Sequence, residues 1–188
     1  MRYRLTTPVT REDLAPLRAG DTVLLSGTVY TARDAAHKRM MELLDAGKEL
    51  PFPVKGSALY YVGPTPERSG EVIGSAGPTT SGRMDAYSPR LLDLGQAVMI
   101  GKGARNRAVK DAVVRNGAVY LAALGGAGAL MAACVRELEV ICWEDLGCEA
   151  VRRLAVEEMP LTVILDAHGG DLYESGPAAY LASLNEKG

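Results

Sequence analysis

Short runs of β-branched and aliphatic residues alternate along this chain with stretches whose apolar positions recur every three or four residues. Val23-Leu24-Leu25 reads as a strand, and Thr28-Val29-Tyr30 either continues it or follows a bend at Gly27. A helix is predicted to start at Thr31, whose hydroxyl can cap it, with Asp34 three residues on in a variant capping box. Ala36, Met40, Leu43 and Leu44 then share one helical face, and Gly47 ends the helix. The apolar run 58–62 is closed by Gly63-Pro64-Thr65-Pro66, which cannot be helical, and 71–76 is a candidate for a further short strand.

Ser88-Pro89 opens a predicted helix that stops at Gly95, with Ser as cap and Pro in the first turn. Residues 97–100 form a strand ending in Gly101-Lys102-Gly103. Residues 107–115 form an amphipathic helix stopped by Asn116-Gly117. A strand at 119–123 is turned by Gly125-Gly126-Ala127-Gly128 into a helix over 129–138. Strands at 140–143 and 161–165, with a short helix over 148–154 between them, complete the pattern. Strands alternating with helices predict an α/β fold with a largely parallel or mixed sheet. No repeat, low-complexity tract or linker interrupts it, so 1–188 reads as one domain.

Composition narrows the partners. Apolar residues make up 47% of the chain and aromatics only 5%, so the core must come from Val, Leu, Ile, Ala and Met. The net charge is −2 and the charges are scattered, which argues against nucleic acid and against a membrane surface. No apolar run approaches the roughly 20 residues of a membrane span. The polar N-terminus MRYRLTTPVTRED lacks the apolar stretch of a signal peptide, and a cytoplasmic protein is expected. The spacing of Cys134, Cys142 and Cys148 matches no zinc or ferredoxin pattern, so they are expected to be reduced thiols packed as small apolar groups.

Three strand-to-loop junctions carry residues that a purely structural domain does not need. In Thr31-Ala32-Arg33-Asp34, Arg33 sits in the first helical turn, where the macrodipole disfavours a cation. An Arg beside free N–H groups at a helix start suits a carboxylate or phosphate, although a pairing with Asp34 or another acid explains it equally well. In Gly77-Pro78-Thr79-Thr80-Ser81-Gly82-Arg83, three hydroxyls stand between glycines and meet an Arg; a glycine-rich turn with one capping hydroxyl does not require all four. Gly101-Lys102-Gly103 is weaker, a cation flanked by glycines just after a strand. Such strand ends can converge on one crevice.

Other features read as structural. Gly126-Ala127-Gly128 has the first two glycines of a dinucleotide fingerprint but Met131 in the third position, so it predicts tight strand–helix packing. His37 lies one turn from Arg33 and can reach the same site or serve the core, and His168 looks like a turn residue.

The runs LSGTVYTARDAAHKRM, YYVGPTPERSGEVIGSAGPTTSGRMDAY, MIGKG, VYLAALGGAGAL and EDLGCEAV, in that order, resemble the β subunit of class I fumarate hydratases. The same sequence type forms the C-terminal half of the single-chain enzymes and the β subunit of L(+)-tartrate dehydratase. The resemblance implies a swivelling β/β/α domain that closes over substrate. It also implies an α subunit partner holding a [4Fe–4S] cluster, with no metal on this chain, in an αβ hetero-oligomer where this chain can also pair with itself. By motif, Arg33, Arg83 and Lys102 would bind substrate carboxylates. Thr79 would take the C3 proton of malate with help from a carboxylate, and Thr80 would orient substrate or shape the loop. The implied reaction is reversible hydration of fumarate to malate, with L(+)-tartrate to oxaloacetate as the alternative. Two other classes compete: a stand-alone anion- or nucleotide-binding module, and an interaction protein without catalysis.

Overall fold

One strand organises the molecule because it is long enough to take partners along both edges. The computed structural model describes residues 1–124 and 126–185. The chain begins with β1 (Arg2–Thr7), α1 (Arg11–Leu14), the long β2 (Thr22–Thr31), α2 (Asp34–Asp45) and β3 (Ala58–Tyr60). A 3₁₀ turn (Ser81–Met84), α3 (Ser88–Asp93), β4 (Val98–Gly101), α4 (Arg107–Asn116) and β5 (Val119–Ala122) follow. Then come α5 (Gly128–Ala133), β6 (Val135–Cys142), a second 3₁₀ turn (Glu144–Glu149), β7 (Val151–Leu165) and α6 (Leu172–Asn185).

β1, β2, β3, β4 and β5 pair in that order, all parallel. β7 runs antiparallel to β5 and β6, and its long inner edge also pairs with β2. The pairings β2–β3–β4–β5–β7 therefore return to β2 and close a ring, with β1 and β6 attached outside it. The fold is α/β with a mixed, largely parallel sheet, as the alternation of elements predicted.

Closure follows from the period-two alternation of side chains. Val23, Leu25, Ala58, Tyr60, Val98, Ile100, Val119, Leu121, Leu161 and Val163 form one buried cluster inside the ring. Their neighbours Leu59, Met99, Tyr120, Ala122 and Ile164 face outward and pack with Ala36 and Met40 of α2, Leu91 and Leu92 of α3, and Val109 and Val113 of α4. Both faces are covered, which is why these strands read as continuous apolar runs; each buried Val or Leu contributes about 1.5–3 kcal/mol. Gly27 has φ +98°, and a Cβ there would lie 2.7 Å from the Thr7 hydroxyl oxygen. It marks the register irregularity between β2 and β7, so the bend expected at Gly27 is a bulge inside one continuous strand.

Several local expectations are corrected. The first helix does not begin at Thr31: that residue ends β2, buried, and its hydroxyl accepts from the Arg152 N–H at 3.1 Å. Arg33 is the N-cap of α2 and provides no side-chain cap. Ser88 is the first residue of α3 rather than its cap; its hydroxyl donates to the Met84 carbonyl. Residues 71–76 form no strand, the helix over 129–138 stops at Ala133, and 148–154 contains the end of a 3₁₀ turn and the start of β7. In the last two cases the antiparallel β6–β7 ladder overrides local helix propensity. The turn expected over 125–128 begins at Gly125, outside the described residues. β1 and α6 carried no prediction. Among the described residues no helix is long and apolar enough to cross a membrane.

Candidate functional site

Parallel pairing aligns the carboxyl ends of β2, β3 and β4. Thr31, Tyr60 and Ile100 are register partners across the three strands. Arg33 and Lys102 each lie two residues beyond that row, so both emerge on the same edge, with neighbouring strands about 4.8 Å apart. The chain after β3 loops out and returns between them: Val62 bridges Pro78, the Thr79 N–H donates to the Tyr61 carbonyl at 2.8 Å, and Thr80 bridges Lys102. Thr79 and Thr80 thus extend the sheet between the Arg33 and Lys102 strand ends. Arg83 follows on the 3₁₀ turn, and its Nε donates to Asp34 Oδ1 at 2.8 Å at the start of α2. The three sequence-predicted junctions converge on one edge. Thr80, Arg83 and Lys102 are exposed there, while Arg33 and Thr79 are half-buried.

An acid holds Arg33 only loosely. Arg33 Nη2 lies 3.4 Å from Glu149, longer than a good charge-assisted bond. The same carboxylate accepts from the Ala35 N–H at 2.9 Å, so Glu149 caps α2 in place of the expected free N–H groups. Arg33 lies across Gly63, where a Cβ would stand 2.7 Å from Nη1. Among the described residues, five buried polar side-chain atoms lack a partner, and Arg33 Nε, Asp34 Oδ2 and His37 Nε2 are three of them. Orphaned polar groups are costly and need a reason. These three fall within one helical turn at the same sheet edge.

His37 lies beneath this site rather than in it. It is fully buried, its Nδ1 is 2.8 Å from the Arg33 carbonyl, and its ring packs against Tyr61 and Tyr87. Burial pushes its pKa down to about 4, so it is neutral at physiological pH.

The loops rest on a buried guanidinium that the sequence did not single out. The Arg105 side chain is inaccessible to solvent and donates to Asp85 at 2.5 Å and Ser88 at 2.7 Å. It also sits 5.4 Å from the Tyr61 ring and 5.1 Å from the Tyr120 ring. Asp85 accepts in turn from the Asn106 N–H at the head of α4. Gly128 meets Gly77 and Ser75, which explains the Gly126-Ala127-Gly128 pattern as close packing against the loop that leads to Thr79, rather than against a strand.

The cysteines do not form a cluster site. Cys134 caps α5 just before β6 and Cys142 ends that strand, eight residues and about 26 Å apart along an extended chain. Among the described residues no three His, Cys, Asp or Glu side chains are placed to hold a metal. Cys134 is buried, as expected, but Cys148 is exposed.

The profile of the family described as Fumarase C-terminus matches residues 1–176. The chain belongs to that family. Within it, a putative L(+)-tartrate dehydratase subunit beta from Methanocaldococcus jannaschii is 36% identical over 95% of this chain and 94% of its own. The L(+)-tartrate dehydratase subunit beta of Escherichia coli is 33% identical over 92% and 87%. The anaerobic class I fumarate hydratase of Escherichia coli is 40% identical over 80% of this chain, and the match covers 28% of that enzyme. The chain thus spans under a third of the fumarate hydratases it matches and nearly all of the tartrate dehydratase β subunits. The fold and the family are those the sequence motifs implied.

Proposed function

We propose that this chain is the β subunit of a hydro-lyase that adds water to a trans-unsaturated dicarboxylate, converting fumarate to malate reversibly. The observation that carries the reading is the convergence of Arg33, Arg83 and Lys102 with the Thr79 and Thr80 hydroxyls at one sheet edge. A dicarboxylate dianion needs several cations, and a planar guanidinium binds each carboxylate with two parallel bonds. Arg33, whose Nε has no partner among the described residues, and the exposed Lys102 receive the carboxylates, while Arg83 exchanges Asp34 for substrate. In the dehydration direction the Thr79 oxygen takes the C3 proton of malate, the C3–H electron pair forms the double bond as the C2–O bond breaks, and the leaving hydroxide takes up a proton from an acid of the partner and departs as water. An alcohol is too weak a base alone, so the Thr79 proton passes to a carboxylate contributed by the partner. Thr80, bridged to Lys102, holds the spacing of the two loops.

The [4Fe–4S] cluster of class I enzymes belongs in this reading to the α subunit, because the cysteines of this chain do not fit it. L(+)-tartrate is the second reading, favoured by the near end-to-end match with two tartrate dehydratase β subunits. Either way the chain functions within an αβ assembly.

Thr79→Ala tests the reading. It should abolish turnover in the assembled pair while leaving assembly, measured by gel filtration, intact. Turnover at the unmutated rate would remove Thr79 from the mechanism.

A further inference from the structure

Donor counting fixes a hydrogen-bond circuit beneath the site. The Tyr120 hydroxyl lies 2.9 Å from both the Gly103 carbonyl and Ser81 Oγ, and the Lys102 N–H donates to Ser81 Oγ at 3.0 Å. A carbonyl can only accept, so the single Tyr120 proton goes to Gly103. The Tyr120 oxygen must then accept from Ser81, whose own oxygen accepts from Lys102. A one-way chain results: Lys102 N–H to Ser81, Ser81 to Tyr120, Tyr120 to the Gly103 carbonyl. The Ser81 N–H closes it by donating to the Lys102 carbonyl at 2.9 Å.

The circuit leaves no slack. Ser81 is fully buried and sits against Gly101, where any Cβ would overlap the Ser81 hydroxyl. The Tyr120 ring is buried on β5 and held by Arg105 at 5.1 Å. The circuit joins the loop carrying Thr79, Thr80 and Arg83 to the loop carrying Lys102, and anchors both to a strand that bears no site residue.

We infer that Tyr120, acting through Ser81, is a positioning residue that sets the distance between Lys102 and the Thr79–Arg83 loop. This rests on the hydro-lyase reading for its kinetic consequence but not for its structural one. Tyr120 touches no substrate; it determines where the Lys102 ammonium and the Thr79 hydroxyl stand relative to each other. Misplacement of such groups by about 1 Å costs up to about 100-fold in rate.

The test is Tyr120→Phe, which removes one oxygen and keeps the ring that packs on Arg105. In the αβ complex, kcat/KM for the dicarboxylate should fall about 10- to 100-fold, with a raised KM. Hydrogen exchange at the Lys102 amide should quicken about tenfold. Ser81→Ala, which removes the acceptor of the Lys102 N–H itself, should quicken that exchange at least as much. Val163→Ala, a cavity inside the ring away from the loops, should lower Tm yet leave KM and Lys102 exchange unchanged. An active complex in which Tyr120→Phe keeps wild-type kcat and KM overturns the inference, as does a Val163→Ala variant showing the same changes. Should the unmutated complex prove silent on dicarboxylates, the hydro-lyase reading falls, and the exchange comparison alone decides the role of Tyr120.

Discussion

Gly63→Ala displaces Arg33 without altering its charge. The new Cβ would stand 2.7 Å from Arg33 Nη1, 3.2 Å from its Cδ and 3.3 Å from the Cys148 carbonyl. Comfortable separations are about 3.5 Å, so the guanidinium must withdraw by roughly 0.8 Å, while the carbonyl needs a few tenths. The atom that moves most is the far end of a flexible side chain, and Gly63 does not have positive φ, so the backbone tolerates alanine. Stability should change by no more than about 1 kcal/mol, a Tm shift of about 2–4 °C for a chain of this size. Function should change far more. A bidentate carboxylate clamp displaced by nearly 1 Å loses alignment at both oxygens, which predicts a drop of about 10- to 100-fold in kcat/KM. Steady-state kinetics of the αβ complex, paired with a thermal melt, separates the two effects. Wild-type kcat/KM in a normally folded variant would show that Arg33 does not hold substrate as described.

Three further outcomes follow from the same structure. Arg105→Met leaves the Asp85 carboxylate buried without its cation and should destabilise the chain by about 3–5 kcal/mol in urea unfolding; a loss below about 1 kcal/mol would show that Asp85 finds water or another donor. Lys102→Met should raise KM for a dianion at least tenfold and weaken the salt dependence of binding, with an unaltered KM contradicting its place in the site. His37 has a folded pKa of about 4 against an ordinary value of 6.5, so its contribution to stability is fully present above pH 6.5 and is lost as pH falls toward 4. The pH profile of stability, compared with that of His37→Asn, should differ by up to about 3 kcal/mol across that window, and parallel profiles would mean that His37 is hydrated.

Legibility of the fold differed between its parallel and antiparallel regions. β3, β4 and β5 were visible because both faces of each are covered and their residues run apolar almost without interruption, and β2 showed as two apolar stretches on either side of Ser26-Gly27. Half-exposed β6 alternates Glu137, Leu138, Glu139 and Val140, and only its last residues looked like a strand. Partner strands settled its conformation, and those partners lie in a pairing that no local window contains. The α2 start was misplaced because Thr31 offers a capping hydroxyl, yet its partner turned out to be an amide more than a hundred residues away.

At the candidate site the pattern is similar. Arg33, Thr79, Arg83 and Lys102 stood out because cations and hydroxyls flanked by glycines are unusual at strand ends, and the motifs of a family carried them further. Glu149, Asp85, Arg105 and Tyr120 did not stand out. A buried Arg looks like any surface Arg until its tyrosine neighbours just after β3 and on β5 are known, and Glu149 becomes a cap only when the second 3₁₀ turn folds against α2. The signal available for Arg105 was its place in Gly103-Ala104-Arg105-Asn106, directly after a site lysine and before a helix cap.

The measurement closest to the central claim is an anaerobic assay of this chain, alone and co-purified with an α-type partner, on fumarate, malate and L(+)-tartrate. The account predicts turnover only in the pair, loss of it on exposure to oxygen, and loss of it again on Thr79→Ala. A pair that assembles with an intact cluster and turns over none of the three would contradict the substrate class, and nucleotide binding by the chain alone would contradict the reading as a whole.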